Sequence, residues 1–346
     1  MEPGRPARLV DVAQRAGVAP STASVVLNGK AERIPEATRQ RVIAAAEELH
    51  YQANAAARSL RTQRSMTLAL ISDEIVTQPF AGALVKGAQE AAWTERYVLV
   101  VAETMGNPDR VRQTIEELTY RQLDGLIFGA MFHQVITPPS VPAETPMVLV
   151  DARDARGIVP GVVPDEVQGA YDAVGLLIAA GHERIGFLQN FTDIPATSLR
   201  MEGYARALKD AGLPIDPSLI AETVPEHKSV SMERTISLLD QPDPPTALFC
   251  FSDRAAAGAY AAARALDLSI PEDLSIVGFD NLELIAGWQE PGLTTMQLPH
   301  EAMGRLAVEM LIRRINDPSA PVRSRLVPCP VVERDSIAPP RTRPPV

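Results

Sequence analysis

Ser21, Ser24, Val25 and Asn28 stand at i, i+3, i+4 and i+7 of PSTASVVLN, the spacing that places four side chains on one face of an α-helix. Three of them carry short hydroxyl or amide groups, which hydrogen-bond close to the backbone. Such a face lets a helix approach another polar surface; a long charged face would serve solvation. A second set of polar residues lies further along. Asp151 follows MVLV, Ser252 and Asp253 follow ALFCF, Asp280 follows SIVGF, and Arg200 opens RMEGY. Carboxylates accept from hydroxyls and a guanidinium donates to them. This set suits a polyhydroxylated small molecule, although Ser or Asp behind a strand equally caps the next helix.

The groups that catalysis needs are not arranged for it. His50, His133, His182, His227 and His300 show no metal-ligand spacing such as H-E-x-x-H, and no G-x-S-x-G, P-loop or G-x-G-x-x-G follows a strand. Gly181-His182 precedes an apolar run and reads as a structural turn. Cys250 and Cys329 are the only cysteines, so a disulfide framework and a cysteine zinc site are excluded by count. The expectation is neither enzyme nor cofactor nor metal. No stretch of about twenty apolar residues is present to span a membrane. MEPGRPARLVDV lacks the apolar run of a signal peptide, which points to the cytoplasm.

The net charge of −10 conceals an asymmetry. Residues 1–64 hold ten Lys/Arg against six Asp/Glu, while the remainder holds 23 against 37. A basic head on an acidic body keeps attraction for phosphate local.

The elements that would position these groups are legible from periodicity. Val12, Ala13 and Ala16 recur at helical spacing and Gly17 ends that helix. A second helix starts at Pro20, where a missing N–H costs nothing, with Ala23, Val26 and Leu27 on its apolar side. A third helix spans 36–50, burying Val42, Ile43, Ala46 and Leu49. Two short helices joined by a tight turn and braced by a third make a helix-turn-helix; spacing alone leaves a structural three-helix bundle equally open. Beyond a polar linker at 61–67 the rhythm becomes strand, helix, strand. Strands are predicted at 67–72, 97–102, 125–130, 146–151, 184–189, 219–224, 246–251 and 274–280, and helices at 80–95, 107–121, 165–180, 199–211, 228–239 and 253–267. The alternation predicts two α/β lobes built on parallel sheets. Ligands of such sheets bind beyond the carboxyl ends of the strands.

LVDVAQRAGVAPSTASVVLNG and IPEATRQRVIAAAEELHYQANAAARSL resemble the head of the LacI/GalR family of transcriptional regulators, over the whole head and without a large gap. AGHERIGFL, IPEDLSIVGFDN, LTTMQLP and MGRLAVEML extend the resemblance over the body, which is similar to periplasmic sugar-binding proteins. The resemblance implies that Ser21, Thr22, Ser24 and Asn28 touch DNA, some through phosphates, and that Pro20, Ser21 and Val25 read base edges. The family often has Arg at the Val25 position, which would pair with guanine; Val offers only apolar contact. Ala19 replaces a capping Ser, and Ala23 replaces Val. Residues 54–60 match a hinge helix that folds on DNA. Asn54 caps it, Leu60 wedges into the minor groove, and Arg58 and Arg61 meet phosphates or the groove. Gln52-Ala53 departs from the family, which usually has Pro before the Asn.

For the body the resemblance implies a fold of two doubly wound parallel-sheet lobes. The head is assigned to 1–53, the hinge and linker to 54–67, and the sensing domain to 68–340. The chain crosses between lobes near 164, 297 and 325, so one lobe is about 66–163 plus 298–325 and the other about 164–297 plus 326–340. Phe80 matches an aromatic of the first loop and joins Asp151, Arg200, Ser252, Asp253 and Asp280 as the effector set. Leu298 and Glu166 stand where Gln and Asn are usual, making the pocket more apolar on one side and more acidic on another. The implied partners are a near-palindromic double-stranded DNA operator, a carbohydrate or similar polyol, and a second copy of the chain in a homodimer. The body alone would permit a ligand carrier; the added head argues for a repressor whose operator affinity a small molecule changes.

Overall fold

The computed structural model describes residues 7–27, 31, 33–51, 64–73, 79–224, 227–321 and 323–341. Asn28, Asn54, Arg58, Leu60 and Arg61 lie outside the described residues. The chain divides into two compact units, Met1–Met66 and Thr67–Val346.

The first unit holds α1 (Leu9–Ala16), α2 (Pro20–Leu27) and α3 (Glu36–Glu48). Asp11 Oδ2 accepts from the Arg8 N–H at the start of α1, and Gly17 stops the helix at φ +67°, a conformation that costs glycine nothing. Val12, Ala13, Ala16, Ala23, Val26, Val42, Ala45 and Ala46 close one small core, with Leu27, Leu49 and Tyr51 packed on its edge. The helical spacing predicts Ile43 in this core. The structure leaves Ile43 40% exposed and buries Ala45 instead, because a core walled by alanines accepts the small side chain three residues from Val42 and has no room for a second branched one.

The second unit carries two sheets. The first has the order β2 (Val98–Glu103), β1 (Thr67–Ser72), β3 (Gly125–Ile136), β4 (Met147–Asp154), β5 (Gly161–Pro164), β11 (Arg325–Val327), all parallel. The second has the order β7 (Ile220–Thr223), β6 (Ile185–Asn190), β8 (Ala247–Cys250), β9 (Ser275–Asp280), β10 (Thr294–Gln297), β12 (Val331–Val332), parallel except for β12. Each is the doubly wound pattern whose order reverses beside its first strand. Central strands are near-continuous apolar runs because helices cover both faces. In the second sheet Phe187 stacks on Phe249 at 4.7 Å and on Tyr204 at 5.3 Å, and the Tyr204 hydroxyl donates to the Ile185 carbonyl at 2.8 Å.

The covering helices are α4 (Ala81–Thr94), α5 (Pro108–Tyr120), α6 (Glu166–Ala179), α7 (Pro195–Asp210), α8 (Lys228–Leu239), α9 (Asp253–Ala265), the short α10 (Glu283–Ala286) and α11 (His300–Asn316). The expected start of α7 at 199 moves to Pro195, whose fixed φ suits a first helical position. The chain passes from the first sheet to α6 after Pro164, from β10 back to α11 after Gln297, and from β11 to β12 after Val327. α11 packs on α4 at a crossing that needs glycine. A Cβ on Gly87 would lie 1.9 Å from the Glu301 carbonyl oxygen, and one on Gly304 would lie 2.1 Å from that of Leu84.

Candidate functional site

In the first unit, α2 is two-faced as the spacing required. Ala23 and Val26 are buried, Pro20 and Ser21 are exposed, Val25 is 38% exposed, and Thr22 and Ser24 are half-buried. The exposed face therefore carries a ring, a hydroxyl and a short aliphatic group, with no long charged side chain to hold a partner off. Ala19 caps nothing with its side chain; its carbonyl accepts the Ala23 N–H at 3.1 Å. The basic side chains partly brace the unit. Arg41 reaches the Ala16 carbonyl at 3.4 Å, and Arg15 pairs with Glu48 at 2.7 Å. Both members of the second pair are half exposed, so it adds little stability.

In the second unit the carboxyl ends of the two sheets bring polar groups together. From the first sheet, Asp151 sits in β4 at φ +52° and is 2% exposed. Its Oδ2 has no hydrogen-bond partner among the described residues and lies 3.5 Å from His300 Nε2. The His300 ring stacks on Phe80 with centroids 4.4 Å apart and planes at 8°, forming a flat apolar wall beside the carboxylate.

The second sheet supplies Arg200, buried in the second turn of α7. Its Nε donates to Glu166 at 2.7 Å, its Nη1 donates to the Phe251 carbonyl and lies 3.6 Å from Asp280 Oδ1. The rings of Phe279 and Phe251 flank the guanidinium at 3.7 and 4.4 Å. Asp280 ends β9 at φ +113°, a conformation rare outside glycine and held here by its surroundings. Burial pushes the Asp280 carboxyl up to about 6, against the pull of Arg200 and with help from the Glu166 charge.

Ser252 and Asp253 serve the protein itself. Ser252 Oγ accepts the Ala255 N–H at 3.2 Å and so caps α9. Asp253 is fully buried. Its Oδ1 accepts from Thr295 and its Oδ2 from the Leu282 N–H, both at 2.6 Å, which fixes the turn after Asp280. Burial and the nearby Asp280 hold its carboxyl well above the usual carboxylate range. Leu298 packs on the core of the second lobe.

His133 was not anticipated as a site residue. β3 is twelve residues long, and its register against β4 slips between Gly129 and Gln134; bulges of this kind re-aim side chains beside functional sites. His133 lies in the slip and is 3% exposed. Neither ring nitrogen has a hydrogen-bond partner among the described residues. Burial and Arg153 push its pKa down to about 4, although Asp151 pulls the other way. His133, Val135 and Arg153 from the first lobe and Asp193, Pro195, Ser198 and Leu199 from the second line a cavity of about 380 Å³. The lobes therefore meet across a cleft in which His133 feels the charges of Asp151 and Arg200, and Asp280 feels that of Arg200.

Among the described residues no group of His, Cys, Asp and Glu could hold a metal ion, and no helix is long and apolar enough to cross a membrane. His182 is structural, bonded to Thr246 Oγ1 at 2.8 Å and to the Ala338 carbonyl at 2.9 Å.

Two family profiles match the chain. One described as "Bacterial regulatory proteins, lacI family" covers residues 8–54, and one described as "Periplasmic binding protein-like domain" covers 174–337. The ribose operon repressor of Haemophilus influenzae is 32% identical over 331 residues, spanning 96% of this chain and 98% of that protein. The HTH-type transcriptional repressor PurR of Aliivibrio salmonicida is 34% identical over 316 residues, spanning 90% and 93%. The solved structure of the transcriptional regulator CelR with cellobiose aligns with a TM-score of 0.66 at 28% identity, covering 95% of this chain and 99% of that one.

Proposed function

The chain belongs to the lacI family of bacterial regulatory proteins, a family of DNA-binding transcriptional repressors and not of enzymes, and from that premise we propose how its two units divide the work. Residues 1–53 read DNA, 54–67 form hinge and linker, and 68–340 sense the effector. The observation that carries the first assignment is the exposed face of α2, where Pro20, Ser21 and Val25 stand clear while Ala23 and Val26 hold the helix to its core. A helix presented in this way enters the major groove. Ser21 and Val25 meet base edges, with Pro20 beside them, and Thr22, Ser24 and Asn28 meet the backbone. Asn54, Arg58, Leu60 and Arg61 act at the hinge, with Leu60 as the minor-groove wedge.

One head covers one half-site, so a near-palindromic operator takes two chains. Val98, Val100 and Val101 on the edge strand β2, together with Trp93 and Tyr120, leave exposed apolar surface on the first lobe that a homodimer would cover. The effector lies between the lobes, where Asp151 and Asp280 accept from hydroxyls, Phe80 and His300 give a flat wall, and Arg200 completes the site. Asp253 holds the turn behind Asp280, and Ser252 caps the helix that carries Asp253. A carbohydrate or similar polyol fits this chemistry, in line with the ribose and cellobiose named for two of the relatives. Closure of the lobes changes the spacing of the hinges and thereby operator affinity, a coupling typically of about 1–3 kcal/mol. Working on genomic DNA places the protein in the cytoplasm.

The test is gel-shift binding of the full chain to its own promoter region, with and without a panel of sugars, polyols and nucleosides. Two chains per duplex and at least one compound that changes affinity are expected. Absence of specific binding under every condition refutes the regulator reading for this DNA-facing surface.

A further inference from the structure

Arg200 would ordinarily be read as a receptor for a ligand's negative charge, yet its surroundings remove that capacity. Its side chain is 4% exposed. Nε is taken by Glu166 at 2.7 Å, Nη1 is taken by the Phe251 carbonyl, and Asp280 stands 3.6 Å away. The rings of Phe279 and Phe251 lie against the guanidinium at 3.7 and 4.4 Å. One cation is thus shared by two carboxylates before any ligand arrives, and Glu166, itself 2% exposed, cannot swing out to solvent without leaving a buried guanidinium unpaired.

On the facing lobe Asp151 adds a third carboxylate. It is 2% exposed and its Oδ2, 3.5 Å from His300 Nε2, has no hydrogen-bond partner among the described residues. An acceptor buried in this state calls for a donor from the ligand. His133, also buried and unpartnered, supplies a neutral ring nitrogen to the same cleft. Two further cations act near the cleft: Arg153 lines the cavity but is exposed and acts through a solvated, weakly directional field, and the half-buried Arg254 helps hold the Asp280 carboxyl down.

From this arrangement we infer that Glu166 sets the charge of the effector: by neutralising Arg200 it makes the cleft a receptor for uncharged hydroxyl donors and turns carboxylated and phosphorylated molecules away. The inference rests on the reading of the cleft as the effector site and goes beyond it by naming a charge class and the residue that chooses it. An anion placed between Asp151 and Asp280 meets like charge while the buried cation beside them is already engaged, a juxtaposition worth about a hundredfold in affinity (about 3 kcal/mol). A neutral polyol donates to both carboxylates.

The experiment uses the full chain and matched pairs: ribose against ribose 5-phosphate, glucose against glucuronate, cellobiose against cellobionate, and adenosine against its 5′-monophosphate. Binding is read as a thermal shift and confirmed by calorimetry. Wild type should bind a neutral member about a hundredfold more tightly than its anionic partner. Glu166→Gln, and the shorter Glu166→Asn, should narrow or invert that ratio by freeing Arg200, with far-UV circular dichroism unchanged. A wild type that binds an anion as well as its neutral partner overturns the inference and needs no variant, while leaving the cleft as the effector site. An unchanged ratio in folded Glu166→Gln and Glu166→Asn overturns the role of Glu166. If no member of any pair binds either chain, the carbohydrate reading itself falls and the inference with it.

Discussion

His133→Phe separates the cost of a buried functional group from its use. In the wild type both imidazole nitrogens are buried without a partner among the described residues. Leaving a polar group in that state costs about 1–3 kcal/mol, and phenylalanine fills a similar shape without polar atoms. The variant should therefore be more stable than wild type at pH 7 by about 1–3 kcal/mol. Acid adds a second, independent signature. The His133 pKa falls from 6.5 to about 4 in the folded protein. Below pH 6.5 the unfolded chain takes up a proton that the folded one refuses, so the stability tied to this group is complete above pH 6.5 and is lost as pH falls toward 4. The 2.5-unit difference is worth about 3 kcal/mol. Asp280 acts in the opposite sense. Its pKa rises from 3.8 to about 6, so its contribution is complete below pH 3.8 and is lost as pH rises through 6, again by about 3 kcal/mol. The two groups nearly cancel between pH 4 and 6. His133→Phe removes one of them, so its stability advantage should grow by about a further 3 kcal/mol between pH 7 and pH 4. The assay is urea unfolding of the full chain, followed by far-UV circular dichroism, at several pH values in that window. Only the difference between variant and wild type is used, which removes the carboxylates common to both. A difference that stays flat with pH would show that the imidazole titrates as in water. A variant less stable at pH 7 would show that the nitrogens are hydrogen-bonded in solution. Either result refutes the reasoning.

Three further outcomes follow from single contacts. Val25→Arg should move operator preference toward guanine by about 1–3 kcal/mol at one position of each half-site, measured by selection from randomised duplexes; an unchanged preference removes Val25 from the base-reading face. Asp280→Ala should raise the ligand concentration needed to alter operator binding by at least about tenfold, since a charged acceptor is lost, and a normal response in gel shift would take Asp280 out of the pocket. Gly87→Ala should cost about 3 kcal/mol in urea unfolding, because its Cβ would stand 1.9 Å from the Glu301 carbonyl oxygen and force α4 from α11; an unchanged midpoint would mean that the helices do not cross there.

What the sequence disclosed tracks how far each signal reaches along the chain. The two faces of α2 are a local property, since Ala23 and Val26 repeat with the helix period and need no knowledge of their partners. The central strands were equally plain, being apolar runs of ordinary length between helices. β5, β10, β11 and β12 were not: each is four residues or fewer and none lies in a longer apolar run, as the equally short β8 does in TALFCF. Ile43 was misplaced for a related reason: periodicity names a face, and the size of the space behind that face decides which residue fills it. The site shows the same limit more sharply. Glu166 was visible as an acid at an unusual position, but its meaning depends on Arg200, 34 residues away. His133 had one faint signal, a histidine inside GLIFGAMFHQVI, a run too long for an ordinary parallel strand. Its burial arises from a register slip against β4 and from the approach of the second lobe, neither of which is written near residue 133. Positions of this kind give up folding stability locally, since an unpartnered imidazole and two carboxylates on one guanidinium are unfavourable in the unliganded protein. A ligand that donates to Asp151 and Asp280 relieves that cost only when both lobes reach it, so the groups that weaken the empty cleft are also those that couple binding to closure.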